Sequence, residues 1–206
     1  MRLIKANYKI LTELDGKEIL KSIEIAGRTA YKSEDKITET SAEDFVKMLI
    51  RRKHLSVLEH KSFTVKFIVD RGVSHELVRH RLASYTQEST RYCNYTKGKF
   101  NNELTFIDLT PYLTEQQRFV WKEGLEWIES SYKALIAVGA SAQVARSILP
   151  NSLKTEVVVT ANLREWRLIF KQRVSKEAHP QMREVMVPLL IDIKSQIPVV
   201  FDDIHF

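Results

Sequence analysis

Arg79-His80-Arg81-Leu82-Ala83-Ser84-Tyr85-Thr86-Gln87-Glu88-Ser89-Thr90-Arg91-Tyr92 is the densest polar stretch of the chain. It opens with three adjacent basic side chains, Arg79, His80 and Arg81. Successive residues of a helix point about 100° apart, so the three cannot share one helical stripe. They can surround a ligand at a helix end. Arginine adds a planar fork of donors that suits phosphate and carbonyl edges. The hydroxyls and amides of Ser84, Thr86, Gln87, Ser89 and Thr90 then read as a polar loop able to contact the edges of a base. Taken by composition alone, the stretch also reads as a solvated basic helix end followed by a polar turn.

Working outward, Phe63, Val65, Phe67 and Val69 alternate with Thr64, Lys66 and Ile68, a strand pattern that Arg71-Gly72 ends. Val73–Arg81 then reads as a short helix leading into the basic triplet. Leu3–Ile10 also alternates and predicts one strand. Ile19, Leu20 and Ile23 predict a helix over Lys17–Ala26. Ser41-Ala42-Glu43-Asp44 resembles a capping box opening a helix that runs to about Arg52. Downstream, Thr114–Val138 is the longest helical stretch, and Gly139 breaks it. Ser141 can cap a second, short helix ending before Pro150. Thr155–Thr160 predicts a strand. Asn162-Leu163-Arg164-Glu165 is a cap-like tetrad starting a helix with Leu163, Trp166, Ile169 and Phe170 inward and Arg173 near its end. A last helix covers Pro180–Gln196. Long helices with a few separated strands predict an α+β fold rather than a regular parallel βαβ series.

At 206 residues the chain predicts a single domain, residues 1–206. An apolar fraction of 44% with 28% charged residues excludes collagen, coiled-coil rods and intrinsic disorder. No apolar run approaches the ~20 residues of a membrane-spanning helix, and the N-terminal residues lack a signal-peptide pattern. The expectation is a cytoplasmic protein without a membrane partner. A single cysteine, Cys93, excludes an internal disulfide framework and a multi-cysteine zinc site. His54, Glu59 and His60 lack companions at metal-ligand spacing, so no metal is expected. Lysine and arginine exceed the acids by 32 to 26, a net charge of +6. That surplus fits phosphorylated metabolites and polyanionic cofactors, and also nucleic acid.

The spacing of Arg79-His80-Arg81, seven further residues and then Ser89 resembles the signature of the flavin-dependent thymidylate synthases. Other segments are similar to that family in the same order: Gly27-Arg28-Thr29-Ala30-Tyr31, then His54-Leu55-Ser56 with Glu59-His60. Val144-Ala145-Arg146-Ser147-Ile148-Leu149-Pro150 and Thr160–Arg173 follow. The resemblance covers about residues 26–173. It implies conversion of dUMP to dTMP, with methylenetetrahydrofolate as carbon donor, FAD as redox cofactor and NADPH as reductant. It implies Arg173 and Ser89 as catalytic residues. The guanidinium of Arg173 would stabilise negative charge at N3 of the pyrimidine, and Ser89 would orient the uracil. It implies dUMP contacts at Glu76, Arg79, Gln87, Glu88, Ser89, Thr90, Arg91, Arg146 and Arg173. FAD contacts would fall on Ser56, Arg79, His80, Arg81, Gln87, Asn162, Leu163, Arg164 and Leu168. The family fold implies a curved, largely antiparallel sheet flanked by long helices, and a homotetramer with sites at subunit interfaces.

Three positions depart from the family pattern. Leu168 stands where His or Asn is common, Leu55 where Glu is common, and Ala30 where Ser or Cys is frequent. Leu168 cannot make a polar contact to a flavin, which predicts weakened FAD retention. Cys93 is expected to be a small buried residue, since this chemistry needs no enzyme thiol. Two other readings remain: C5 hydroxymethylation of a pyrimidine nucleotide, and a basic nucleic-acid-binding domain stacking bases on Tyr85, Tyr92 and Tyr95. The family reading needs no nucleic-acid partner. The cations would instead meet small-molecule substrates.

Overall fold

The computed structural model describes residues 1–206, the side chain of Lys99 excepted. The chain forms two compact units. One comprises Met1–Asn7, Ile68–Leu77 and Thr86–Val157, and the other Tyr8–Phe67, Val78–Tyr85 and Val158–Phe206.

In the first unit, β1 (Arg2–Ile4) pairs in parallel with β5 (Thr105–Ile107), Leu3 opposite Phe106. The long helix α4 (Glu115–Ala137) is opened by a complete capping box between Thr114 and Gln117. It carries Leu125 and Tyr132 into a core shared with Tyr95, Leu104, Phe106 and Leu153. Two short helices, α3 (Arg71–Leu77) and α5 (Ala142–Ala145), belong to the same unit.

In the second unit, α1 (Gly16–Thr29), α2 (Ser41–Arg51), α6 (Leu163–Arg173) and α7 (Pro180–Gln196) supply most of the buried surface. Trp166 is fully buried, stacked on Phe63 at 4.7 Å and beside Phe170 at 5.6 Å. Its indole N–H donates to the Phe63 carbonyl. Arg28 donates through two nitrogens to one oxygen of buried Glu24, and the Ser41 hydroxyl donates to the other, so one carboxylate joins the end of α1 to the start of α2.

A four-stranded sheet has the order β2 (Asn7–Ile10), β3 (Ser62–Asp70), β6 (Lys154–Asn162), β4 (Ala83–Gln87). The hydroxyls of Thr64 and Thr160 lie 2.8 Å apart, and Arg71 N–H bonds the Asn151 carbonyl. Pairing that advances on one strand while receding on the other is antiparallel. Along β3, Phe63, Val65, Phe67 and Val69 are buried in strict alternation, as the sequence pattern predicts.

The expected single curved sheet is not what forms. The strands fall into two separate open sheets, one parallel and one antiparallel. The cause is local: the strand read over Leu3–Ile10 is interrupted at Lys5–Ala6. Arg2–Ile4 then pairs with β5, while Asn7–Ile10 joins β3. Ser41 is the first helical residue rather than the cap, because its hydroxyl accepts from Thr38 N–H and donates to Glu24. The helix expected to reach Arg81 ends at Leu77, and Ala83–Gln87, read as a polar loop, is a strand.

Two glycines test the packing in opposite directions. Gly124 lies inside α4 with nothing within 4 Å of an added Cβ, whereas a Cβ on Gly16 would stand 2.2 Å from the Gln196 carbonyl oxygen. Gly124→Ala is expected to raise stability by about 0.5–1 kcal/mol through helix propensity. Gly16→Ala is expected to lower it. Urea-denaturation midpoints of the two variants check both signs.

Candidate functional site

The expected site residues lie in both units, and each set has its own geometry. In the second unit the chain turns after α3, and the basic triplet splits as its 100° spacing demands. Arg79 and Arg81 are exposed, with no hydrogen bond or ion pair among the described residues, while His80 is only 5% exposed. Arg173, the last residue of α6, donates from Nε to His80 Nε2 at 3.0 Å. A nitrogen that accepts a hydrogen bond carries no proton, so the imidazole is neutral with its N–H on Nδ1. That Nδ1 faces the buried Glu165 carboxylate at 3.7 Å, which is a contact with a neutral ring rather than an ion pair. Burial first, and then the Arg173 charge, push His80 down to about 4. Burial raises Glu165 above the ordinary carboxylate range. Tyr85 donates its hydroxyl to the His80 carbonyl at 2.7 Å, and burial pushes that phenol up to about 12.

The start of α6 is set by Asn162, whose side chain accepts the Glu165 N–H at 2.8 Å. The role of helix cap that the tetrad predicts is therefore filled. Arg164 points outward and pairs with Glu59, while Leu163 is buried and gives its backbone N–H to the Lys61 carbonyl. Leu168 is 44% exposed on the same helix, and Ser56 is exposed on the short turn Leu55–His60.

In the first unit, Gln87 donates to the Ser74 and Thr155 hydroxyls at 2.9 and 3.1 Å. Glu88 accepts from Lys154 at 2.9 Å and from the Tyr95 hydroxyl at 3.2 Å. Lys154 also donates to Glu156. Burial would lower the Lys154 ammonium, but hydrogen bonds to two carboxylates outweigh it and hold it above the ordinary lysine range. Burial likewise raises the Tyr95 phenol. Ser89 and the residues after it form a tight turn. Its carbonyl accepts the N–H groups of Tyr92 and Cys93, and its hydroxyl accepts the Arg91 N–H. Thr90, buried, accepts from the exposed Arg146 at 3.3 Å. Exposed Arg91 lies over the Tyr92 ring, and Glu76 is half-buried on α3. No base touches Ser89 among the described residues, so it has the surroundings of an orienting hydroxyl, not of an activated nucleophile. Half-buried Cys93 packs against the core of its unit.

Several participants escape the sequence reading. Glu165 is absorbed there as the fourth residue of a cap-like tetrad, yet its side chain turns to His80. Lys154 and Glu156 flank Thr155 at strand spacing and so share a face. Their alternation is visible in sequence, but their partner Glu88 lies 66 residues from Lys154. Ser74 carries no sequence signal.

His80 makes stability depend on pH. Its native value lies below the ordinary 6.5, so as pH falls the unfolded chain takes up this proton first. The contribution is complete above about pH 6.5 and is lost as pH falls toward about 4, by at most roughly 3 kcal/mol. Urea denaturation at about pH 7 and about pH 5 is expected to show a loss in the native chain that is smaller in His80→Asn.

Comparison with known proteins adds to this geometry. Residues 11–199 match the family described as thymidylate synthase complementing protein. The flavin-dependent thymidylate synthase of Geobacter sulfurreducens is 32% identical over 189 residues, covering 88% of this chain and 80% of that one. The enzyme of the same description from Corynebacterium aurimucosum is 34% identical over 198 residues, 89% and 79% of the two chains. That of Pyrococcus furiosus is 35% identical over 166 residues, 80% and 67% of the two. Among solved structures, the UMP/dUMP methylase PolB of Streptomyces cacaoi bound with 5-Br dUMP superposes with a TM-score of 0.77. It covers 98% of this chain and 96% of its own at 21% identity, a likeness of fold. With the family pattern running through nearly its whole length, the chain belongs to the flavin-dependent thymidylate synthases.

Proposed function

We propose how this chain carries out its family's reaction, the reductive methylation of dUMP to dTMP. Residues 1–206 act as one thymidylate synthase domain. Arg173 stabilises negative charge at N3 of the uracil, which raises the nucleophilicity of C5. Ser89 orients the base through its hydroxyl. Arg91 and Arg146 hold the phosphate, and Arg79, Gln87, Glu88, Thr90 and Glu76 complete the nucleotide contacts. The observation that carries this reading is the Arg173–His80 contact. A neutral acceptor orients the guanidinium without cancelling its charge, which a carboxylate in the same place would do.

The residues present fit FAD. Arg79 and Arg81 are exposed cations without partners among the described residues, a donor set suited to a diphosphate. Arg164, Ser56 and Leu168 are exposed on the same unit, and buried His80 and Leu163 fix the backbone that carries them. Asn162 and Gln87 supply amide groups. When bound, FAD supplies the two-electron chemistry that turns a methylene into a methyl group. NADPH is the reductant and methylenetetrahydrofolate the carbon donor. The partners are therefore small molecules, with no nucleic acid.

The working form is a homotetramer in the cytoplasm. Phe119, Val120 and Trp127, all more than 60% exposed on α4, support an oligomer, since an apolar stripe gains free energy of stabilisation on leaving water. Among the described residues no helix is long and apolar enough to cross a membrane.

The test is an anaerobic assay with dUMP, methylenetetrahydrofolate, FAD and NADPH, the product identified by mass. A dTMP product is expected, whereas a hydroxymethyl product would overturn the methylation step. Arg173→Ala is expected to lower turnover by at least about 100-fold, the scale of losing one charge-stabilising group. Cys93→Ala is expected to keep its activity. Its complete inactivation with the fold intact would overturn a thiol-free mechanism. Leu168→His is expected to tighten FAD binding several-fold, read by fluorescence titration of the apoprotein.

A further inference from the structure

The second unit contains a groove of about 590 Å³ that none of the residues proposed to contact dUMP or FAD lines. Its walls are the end of α2, the turn that follows it, the Arg167–Lys171 face of α6 and the C-terminal turn after α7. The volume falls within the range of small-molecule and cofactor sites.

Two left-handed backbone residues line this one groove, Lys53 at φ 60° and Val199 at φ 73°. A β-branched residue at positive φ is a steric outlier. Val199 is also the centre of a γ-turn, since Val200 N–H bonds the Pro198 carbonyl. Arg167 holds that turn in place. It is 3% exposed, forks onto Asp203 at 2.7 Å through both terminal nitrogens, and also donates to the Val200 carbonyl. Its Nε is buried with no partner among the described residues. Strain of this kind persists only where the surroundings over-determine it, and it clusters at ligand sites.

The charges of the lining are unequally committed. Asp203 is taken by Arg167, and Asp202 accepts the Val199 N–H at 3.1 Å. Lys47 pairs with Glu43 at 2.6 Å. Arg51 and Lys53 are exposed, and their side chains have no hydrogen bond or ion pair among the described residues. Ile50, Leu55 and Val199 supply apolar surface beside them. Leu55 matters because a carboxylate there would cancel one of the two uncommitted cations.

We infer that this groove is a second binding site, for a nucleoside phosphate, with phosphate on Arg51 and Lys53 and the planar ring on Ile50, Leu55 and Val199. Arginine and lysine side by side suit a phosphate with more than one anionic oxygen. The apolar patch suits an aromatic ring of nucleobase size. The reductant and a free nucleotide share this chemistry, and a 2′-phosphate tells them apart.

The experiment is calorimetric titration of the FAD-loaded full chain, so that the flavin's own adenosine position is filled. The probes are 2′,5′-ADP, 5′-AMP and dUMP. The native chain is expected to bind an adenosine phosphate. Arg51→Ala with Lys53→Asn is expected to weaken that binding at least about tenfold and leave dUMP affinity within about twofold. Asn tolerates the left-handed backbone at position 53, so this pair removes charge without adding strain. Leu55→Glu is expected to weaken the same probes by placing an acid in the groove. A preference of about tenfold for 2′,5′-ADP over 5′-AMP assigns the site to the reductant, and equal affinity assigns it to a free nucleotide. No binding by the native chain, or native affinity in the double variant, overturns the site. Loss of dUMP binding by the native chain would instead count against the thymidylate synthase contacts, so the two failures are distinct.

Discussion

Trp166 lies flat on Phe63, and its indole N–H is tied to the Phe63 carbonyl. This contact fixes the rotation of α6 about its own axis. With Trp166 and Phe170 turned into the core, Glu165, Ile169 and Arg173 follow at four-residue steps along one neighbouring stripe. Arg164 and Leu168 are rotated outward by the same geometry. One buried indole therefore decides which polar groups of the helix reach His80 and which face outward. Burying an aromatic of this size stabilises by roughly 2–3 kcal/mol, and the orienting hydrogen bond adds to it.

His80 sits between the two ends of that stripe. One ring nitrogen accepts from Arg173, and the other faces Glu165. Were Glu165 to meet Arg173 directly, the carboxylate would neutralise the guanidinium. The imidazole separates them and remains uncharged because burial and Arg173 both oppose its protonation. The first unit handles charge in the opposite way. Lys154 is held between Glu88 and Glu156, so a half-buried cation and its acids are satisfied internally. An ion cluster shielded from water to this extent adds little net stability but penalises rearrangement, since moving one member strands the others. It anchors the strand end from which the Ser89–Arg91 turn departs.

The sequence makes the regular parts legible. Phe63–Val69 alternates in sequence and in burial, and Trp166, Ile169 and Phe170 point inward as their spacing implies. Asn162 caps α6 as its residue type suggests. What escapes is what depends on distant partners. Leu3–Ile10 alternates throughout, yet its two halves pair with different strands, and alternation says nothing about the partner. Ser41 has the residue type of a cap, but buried Glu24 recruits its hydroxyl from another helix. Ala83–Gln87 is polar by composition and becomes a strand at the end of the sheet order. Gln87 and Glu88 look like ligand contacts by residue type. That their amide and carboxylate also bond Ser74, Thr155, Lys154 and Tyr95 is something no local pattern encodes.

The same distinction explains the net charge of +6. Arg28, Lys154 and Arg167 are structural cations, each bound to a carboxylate and largely buried. Arg173 is held by a neutral ring. Arg79 and Arg81, and separately Arg51 and Lys53, are exposed and without partners among the described residues. An exposed cation near others of its sign raises the free energy of the unliganded protein, and only an anion relieves it. Two of these exposed pairs in the second unit are backed by residues held in a fixed conformation: buried His80 between Arg79 and Arg81 in the chain, and Arg167 with its γ-turn in the groove lined by Arg51 and Lys53. Rigid support under uncommitted charge distinguishes a binding site from a solvated patch, because the cost of assembling the cations is met on folding and not on ligand arrival.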